Sequence, residues 1–234
     1  AGIVMLTTVI FIVRWITGGA QTWMFYPETE LIDHLMTAGD IFLMCLIIYL
    51  SVKYGKVLPV ILSVLQTALV LYTEFTAETV GGPHMMVDWL TILMCIIIAF
   101  IGGFICIYTV GYMKGYHAHH KDVKDRQPFF FSMLFLFLAA MFGLVLSQNL
   151  IWIYFFWEIT SVISFLMIGY TRTDEAVNNS FCALWMNLLG GLGFAVGIAL
   201  MAQLYGTLQL MDVVESGALL PLMCLALAGL TKSA

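Results

Sequence analysis

Apolar residues in this chain come in long unbroken runs, not in alternation and not as a stripe on one helical face. Eight such runs can be drawn, at approximately 2–18, 36–52, 57–74, 88–112, 129–147, 149–170, 178–205 and 217–234. A helix rises about 1.5 Å per residue, so about 20 apolar residues cross a hydrocarbon core about 30 Å thick. Helices that are apolar all round belong in an interior or a bilayer. Gly18-Gly19, Tyr54-Gly55, Gly81-Gly82-Pro83, Gln127-Pro128 and the charged patch Arg172 to Glu175 punctuate the runs. The break at Ser147–Asn149 reads as a tight hairpin or a kink, because 129–170 is too long for one span. The first run is short and carries Arg14. The fold class expected is all-α, a polytopic transmembrane helix bundle of about eight spans.

Composition agrees with the pattern. The chain is 62% hydrophobic and 10% charged, against about a quarter charged in soluble domains. The lipid bilayer is therefore an expected partner. There is no basic tract to hold nucleic acid. The first run lacks the basic start and small-residue cleavage site of a signal peptide and reads as a span. The five cysteines all fall inside apolar runs without a C-x-x-C pair and read as small core residues. His117, His119 and His120 fall in YHAHHKD, read as a solvated loop, with no further cysteine or histidine nearby to complete a metal set.

Loop charges add sidedness. If loops alternate between faces, one face receives 53–56, 113–128 and 171–177, with Lys53, Lys56, Lys114, Lys121, Lys124, Arg126 and Arg172, seven of nine basic residues. The other receives Glu28, Glu30, Asp33, Glu74, Glu78, Asp212 and Glu215, with Arg14 the single candidate cation. The positive-inside rule then places loops 113–128 and 171–177 in the cytoplasm, with the chain in the cell inner membrane.

Two charges belong to no loop. Glu158 lies in NLIWIYFFWEITSVISFLMIGY, residues 149–170, without another charge in that stretch. Nine residues from Asn149, it is about 14 Å deep, near mid-bilayer. A carboxylate there normally faces a partner, a hydrated cavity or an ion path. Thr160, Ser161 and Ser164 follow it; Ser161 at i+3 shares its face, and short hydroxyls can hold water or bond a carboxyl. The alternative is a neutral glutamate bonding a neighbouring helix as packing glue. Lys232, in LAGLTKSA, is either buried beside that carboxylate as a switchable pair or marks the cytoplasmic end of the last helix. Gly217, Gly229 and Pro221 allow that segment to bend. Asp40 and Asp88 sit near expected span starts and read as helix N-terminal acids.

YTVGYM, the WE of FFWEITSVISFLMIGY and the closing TKSA resemble the antiporter-like proton-conducting membrane subunits. That family includes the large distal membrane subunit of respiratory complex I, the large subunit of multisubunit cation/proton antiporters, and counterparts in membrane-bound hydrogenases. The resemblance covers residues of about 85–234, and 1–80 match it only as hydrophobic spans. It implies that Glu158 and Lys232 form a membrane-embedded pair in a hydrated half-channel. Members have about fourteen spans in two inverted repeats. The resemblance thus implies an incomplete antiporter-like fold, with 85–234 the first part of a translocation module and Ala234 inside its first repeat. A fragment is expected, a split gene product completed by a neighbour being the alternative. Complex I members carry an arginine and an aspartate in the helix after WE; here WMNLLGGLGF puts Leu188 and Gly191 at those places, closer to the antiporter and hydrogenase branches. Asn187 remains as a polar waypoint or an ordinary packing residue. Gly190, Gly191 and Gly193 are expected to permit close helix approach.

The function expected is a proton- or sodium-translocating subunit of a redox-driven complex I-like or hydrogenase-like assembly. Its partners would be other membrane subunits, its cargo protons or sodium ions. The alternatives are a component of a multisubunit cation/proton antiporter and a structural anchor; an anchor has no need of Glu158 in mid-membrane. No G-x-G-x-x-G, Walker loop or cysteine cluster is present, so no cofactor is expected in this chain and redox groups would sit in partner subunits.

Overall fold

A computed structural model describes residues 1–26, 30–76, 82–120 and 123–233. Glu28, Glu78, Gly81, Lys121 and Ala234 lie outside the described residues. The described chain is helical apart from two three-residue strands. In order it forms α1 (Gly2–Thr17), β1 (Trp23–Phe25), α2 (Glu30–Lys53), α3 (Val57–Thr76), β2 (Met85–Val87), α4 (Trp89–His119), α5 (Gln127–Leu146), α6 (Leu150–Ile168), α7 (Asp174–Leu200), α8 (Leu210–Glu215) and α9 (Leu219–Ser233). Six of these helices are long and apolar enough to cross a membrane, and α1 and α9 are shorter apolar helices. The protein is a multi-pass helical membrane protein.

The expected boundaries shift in three places. Ser147–Asn149 is a short extended link between two separate helices, not a kink: Ser147 caps α5, and the Asn149 side chain accepts from Ile151 N–H to start α6. α4 continues through the supposed histidine loop to His119, because aromatic stacking of Tyr108, Tyr112, Tyr116 and His120 runs one turn at a time along it. α2 begins at Glu30, six residues before the apolar run, since its polar first turns find partners. Asp33 accepts from Trp152 Nε1 at 2.8 Å, and Thr37 donates to Glu74 at 2.7 Å. Asp40 therefore stands in the interior of α2, not at its start, whereas Asp88 does cap α4, accepting from Thr91 N–H at 2.7 Å.

Loops gather at two ends. At one, β1 pairs antiparallel with β2, Met85 bridges to Ser147, and Asn149 bridges to Gln209, so four extended segments satisfy one another's backbones. At the other, Lys56 donates to Asn178 at 3.0 Å, and Tyr170 takes Arg126 N–H at 3.1 Å and meets His117 at 3.0 Å. Segments 53–56, 113–120, 123–128 and 171–177 thus share the second, basic end. Gly55 and Gly206 turn the chain at the two ends with positive φ, 65° and 66°.

The helices pack α1 on α4, α4 on α5, and α5 on α6; α6 also meets α2 and α7, while α7 meets α3 and α9. One core joins Leu150, Tyr154, Phe194, Ile198 and Ala228; another joins Ile47, Leu62, Val162, Leu184 and Leu188. Among the cysteines Cys95 and Cys106 are buried, but Cys45 and Cys182 are exposed, contrary to the reading of all five as core. An apolar run names no inward face, so it could not separate them.

The α7–α9 seam is built on glycine. A side chain at Gly190 would run into Thr231 and lie 3.3 Å from the Ala228 carbonyl; at Gly197 it would meet Leu225 at 3.2 Å. Gly190→Leu should therefore lower unfolding stability by about 1–3 kcal/mol. Gly111→Ala, where nothing lies within 4 Å, should not. Thermal denaturation in detergent followed by circular dichroism compares the two.

Candidate functional site

The bundle centre holds an unusual number of polar groups at one depth. α2 and α6 run inward from the acidic end, and α3 runs toward it. Counting about 1.5 Å per residue, Asp40 lies about 15 Å from the start of α2, Glu158 about 12 Å into α6, and Gln66 about 15 Å from the end of α3. All three are buried, with exposures of 7%, 4% and 1%.

Glu158 faces inward because α6 is covered on several sides, by α2, α5 and α7. Gly191 of α7 makes room for it: a Cβ there would lie 2.9 Å from Glu158 Oε1 and 2.5 Å from Gln66 Oε1. The position that resembles an aspartate site in complex I members is thus a gap filled by two oxygens from other helices. The Gln66 side chain hydrogen-bonds the Glu158 carboxyl, while Glu158 Oε1 and Gln66 Oε1 themselves are without a partner among the described residues.

Lys232 comes from the last turn of α9 and turns into the bundle. Its Nζ donates to Ser161 Oγ at 2.5 Å and to the Trp157 carbonyl at 3.2 Å, and lies 4.8 Å from the centroid of the Trp157 ring. It is not a surface marker of a helix end. Glu158 lies between its two acceptors in sequence, and the two charges interact electrostatically. They do not touch; the one ion pair among the described residues is His117–Asp125. Ser161 therefore stands beside the carboxylate as the hydroxyl that takes the ammonium.

The other expected path residues separate. Ser164 Oγ donates back to the Thr160 carbonyl, and Thr160 Oγ1 to the Trp157 carbonyl, so both hydroxyls serve their own helix. Asn187 donates to the Ala183 carbonyl at 3.0 Å, while its Oδ1 is buried without a partner. His117 is held by Tyr170, and His119 and His120 bond back to carbonyls of their own helix.

Gln66, Trp157 and Asp40 were not visible as site residues. Gln66 has a signal that could have been used, being an amide in mid-span in VLPVILSVLQTALVLYT. Trp157 contributes a backbone carbonyl, which no residue type announces. Asp40 was misplaced by a helix start drawn too late.

Comparison with known proteins places most of the same stretch beside one group of membrane proteins. Residues 147–234 match the family described as NADH:quinone oxidoreductase/Mrp antiporter, TM, and 83–122 match NADH-Ubiquinone oxidoreductase (complex I), chain 5 N-terminus. A probable K(+)/H(+) antiporter component from Rhizobium meliloti is 31% identical over 169 residues, covering 66% of this chain and 17% of the relative. A Na(+)/H(+) antiporter component, A1, of Staphylococcus haemolyticus is 29% identical over 172 residues, 69% of this chain and 20% of the relative. The L component of NADH-quinone oxidoreductase from Neisseria meningitidis is 33% identical over 145 residues, 59% and 20%. The matched stretch thus spans no more than 20% of the length of these relatives.

The closeness of Glu158 and Lys232 has an energetic signature. Removing one leaves the other uncompensated in an apolar setting, so Glu158→Gln and Lys232→Met should be non-additive by about 0.5–3 kcal/mol. The double variant should be more stable than additivity predicts. Denaturation of the four proteins in detergent measures the coupling.

Proposed function

The chain belongs to the antiporter-like membrane subunit family that groups a large complex I membrane subunit with large components of cation/proton antiporters, and we propose that it translocates protons or sodium ions with Glu158 and Lys232 as a switchable pair. One observation carries the reading. The Lys232 ammonium is folded inward onto α6, against Ser161 and the Trp157 carbonyl that bracket Glu158. A purely structural anchor would gain nothing from a cation and a carboxylate brought to one interior layer, where each is costly.

The chemistry follows from the seating. Ser161 Oγ and the Trp157 carbonyl accept from the ammonium, and the carboxylate alongside supplies negative charge. α9 carries Lys232 and is seated on α7 with Thr231 and Leu225 in the notches that Gly190 and Gly197 leave. A shift of α9 draws Lys232 off Ser161 and away from Glu158, and the ammonium gives its proton to water on one side, leaving a neutral amine. The amine takes up a proton from the other side as α9 returns, which restores the pair. The drive for the shift would come from partner membrane subunits of a larger assembly, with any redox cofactors held there.

The main reading places this unit in a redox-driven complex I-like or hydrogenase-like assembly. The second, a multisubunit cation/proton antiporter, is favoured by Gly191 standing where resembled complex I members carry an aspartate. In either case 85–234 is the first part of the translocation module and 1–80 precede it. The basic end carrying Lys124, Arg126 and Arg172 would face the cytoplasm in the cell inner membrane, by the excess of cations there.

Two measurements test this. Glu158→Gln keeps shape and hydrogen bonding and removes titration, so the protein should reach normal levels while proton or sodium flux in native membranes falls by about a hundredfold or more. Normal flux in that variant sinks the proposal. For sidedness, single cysteines at Lys124 and Glu215, on a background without the native cysteines, should react with impermeant thiol reagents from the cytoplasmic and the opposite face respectively. External labelling at position 124 in right-side-out vesicles overturns the orientation.

A further inference from the structure

Asp40 has no part in the Glu158–Lys232 pair, yet it is the third charged or amide group of the same interior layer. Its Oδ1 is buried without a partner among the described residues. So are Tyr154 Oη, Gln66 Oε1 and Glu158 Oε1. Of the eleven buried side-chain nitrogen and oxygen atoms without a partner among the described residues, four gather in this one region, and each costs about 1–3 kcal/mol if nothing bonds to it. Asp40, Tyr154 and Glu158 lie within electrostatic reach of one another, and Gln66 is beside Glu158. Apolar packing would have served this layer better than unmet oxygens, so the layer is shaped for groups that arrive from outside the chain.

Polar side chains stand between that layer and the acidic end. A cavity of about 220 Å³ opens there, lined by Asp33, Thr73, Glu74, His84, Asn149 and Trp152 among others. Asp33, Thr37 and Asp40 are spaced i, i+4, i+7, so they follow one face of α2 downward. Thr73 and Gln66 are spaced seven apart on α3 and repeat the line on the facing helix. Tyr154 and Glu158 are four apart on α6. Three helices thus turn polar faces toward one column. Elsewhere α2 presents large apolar residues outward, including Leu31, Leu35 and Phe42.

We propose that Asp40 is a relay carboxylate, carrying protons between a water-filled access at the acidic end and Glu158, with Tyr154 and Gln66 as the bridging groups. This rests on the reading of Glu158 as a translocation site. Water suits the layer because each molecule needs two to four polar partners, and acceptor oxygens with one hydroxyl supply them. The transfer balances simply. A proton leaves the Asp40 carboxylic acid, passes along hydrogen bonds of Tyr154 or water, and protonates the Glu158 carboxylate; Asp40 is then a carboxylate that the cavity recharges. The charged and titratable groups facing this column are Asp33, Glu74 and His84 at the mouth, Tyr154 midway, and Asp40, Glu158 and Lys232 in the central layer.

The full-length protein in native membranes tests this with two variants. Asp40→Cys, on a background without the native cysteines, should react with a small charged methanethiosulfonate reagent from the acidic side, and His84→Trp at the mouth should slow that reaction. A thiol at position 40 that stays inert from the acidic side overturns the access route. Asp40→Asn preserves shape and removes the proton, so flux should fall at least about tenfold with protein level unchanged. Normal flux in Asp40→Asn overturns the relay, labelled thiol or not. Glu158→Gln run alongside separates the two readings. If it is inactive while Asp40→Asn is normal, the relay alone fails. If it is fully active, the translocation reading itself fails, whereas the labelling still reports whether water reaches Asp40. Loss of flux for protons but not sodium in Asp40→Asn supports the relay; loss of sodium flux alone overturns it in favour of a cation site.

Discussion

Everything in this protein depends on the scarcity of hydrogen-bond partners inside a bilayer. Backbone groups answer it by forming helices along nearly the whole described chain. At the acidic end, where helices stop, four extended segments pair with one another through β1, β2, Ser147 and Gln209. Side chains answer it by bonding to their own helix, as Thr160, Ser164 and Thr109 do. Against that background the central layer is exceptional. Asp40, Gln66, Tyr154 and Glu158 keep oxygens unpartnered, and Lys232 is brought in to share the space.

Glycine is what makes the layer possible. Gly191 leaves room for Glu158 and Gln66 at once, and Gly190 and Gly197 let α9 lie close along α7 so that Lys232 reaches α6. A larger residue at Gly190 would push α9 outward and carry the ammonium with it. Thr231 and Leu225 of α9 fill the notches that Gly190 and Gly197 leave, so the fit of the seam is set by the same few residues.

Much of the fold was legible in the residues. Runs of about 20 apolar residues can only be satisfied as spanning helices, so the class and the number of apolar helices followed from hydropathy. The two-ended distribution of loop charge was visible too, because loops must alternate. Boundaries were less legible. The start of α2 was missed because Glu30, Asp33 and His34 look like loop until Asp33 meets Trp152 and Thr37 meets Glu74. The end of α4 was missed because an aromatic ladder, not apolar content, carries it to His119.

For the site, the sequence by itself determined that Glu158 must face something polar, since a lone carboxylate at that depth has no cheap alternative. The resemblance of the WE and TKSA stretches implies Lys232 as its partner. Tertiary structure decided the rest. Only the folding of α9 onto α6 shows the ammonium on Ser161 and the Trp157 carbonyl and not in direct contact with the carboxylate. Only the facing of α2, α3 and α6 gathers Asp40 and Gln66 at the depth of Glu158, with Tyr154 one turn nearer the acidic end. Hydropathy records how deep a residue lies along its own helix; which neighbour it meets depends on rotation about that helix and on packing, and an all-apolar run encodes neither.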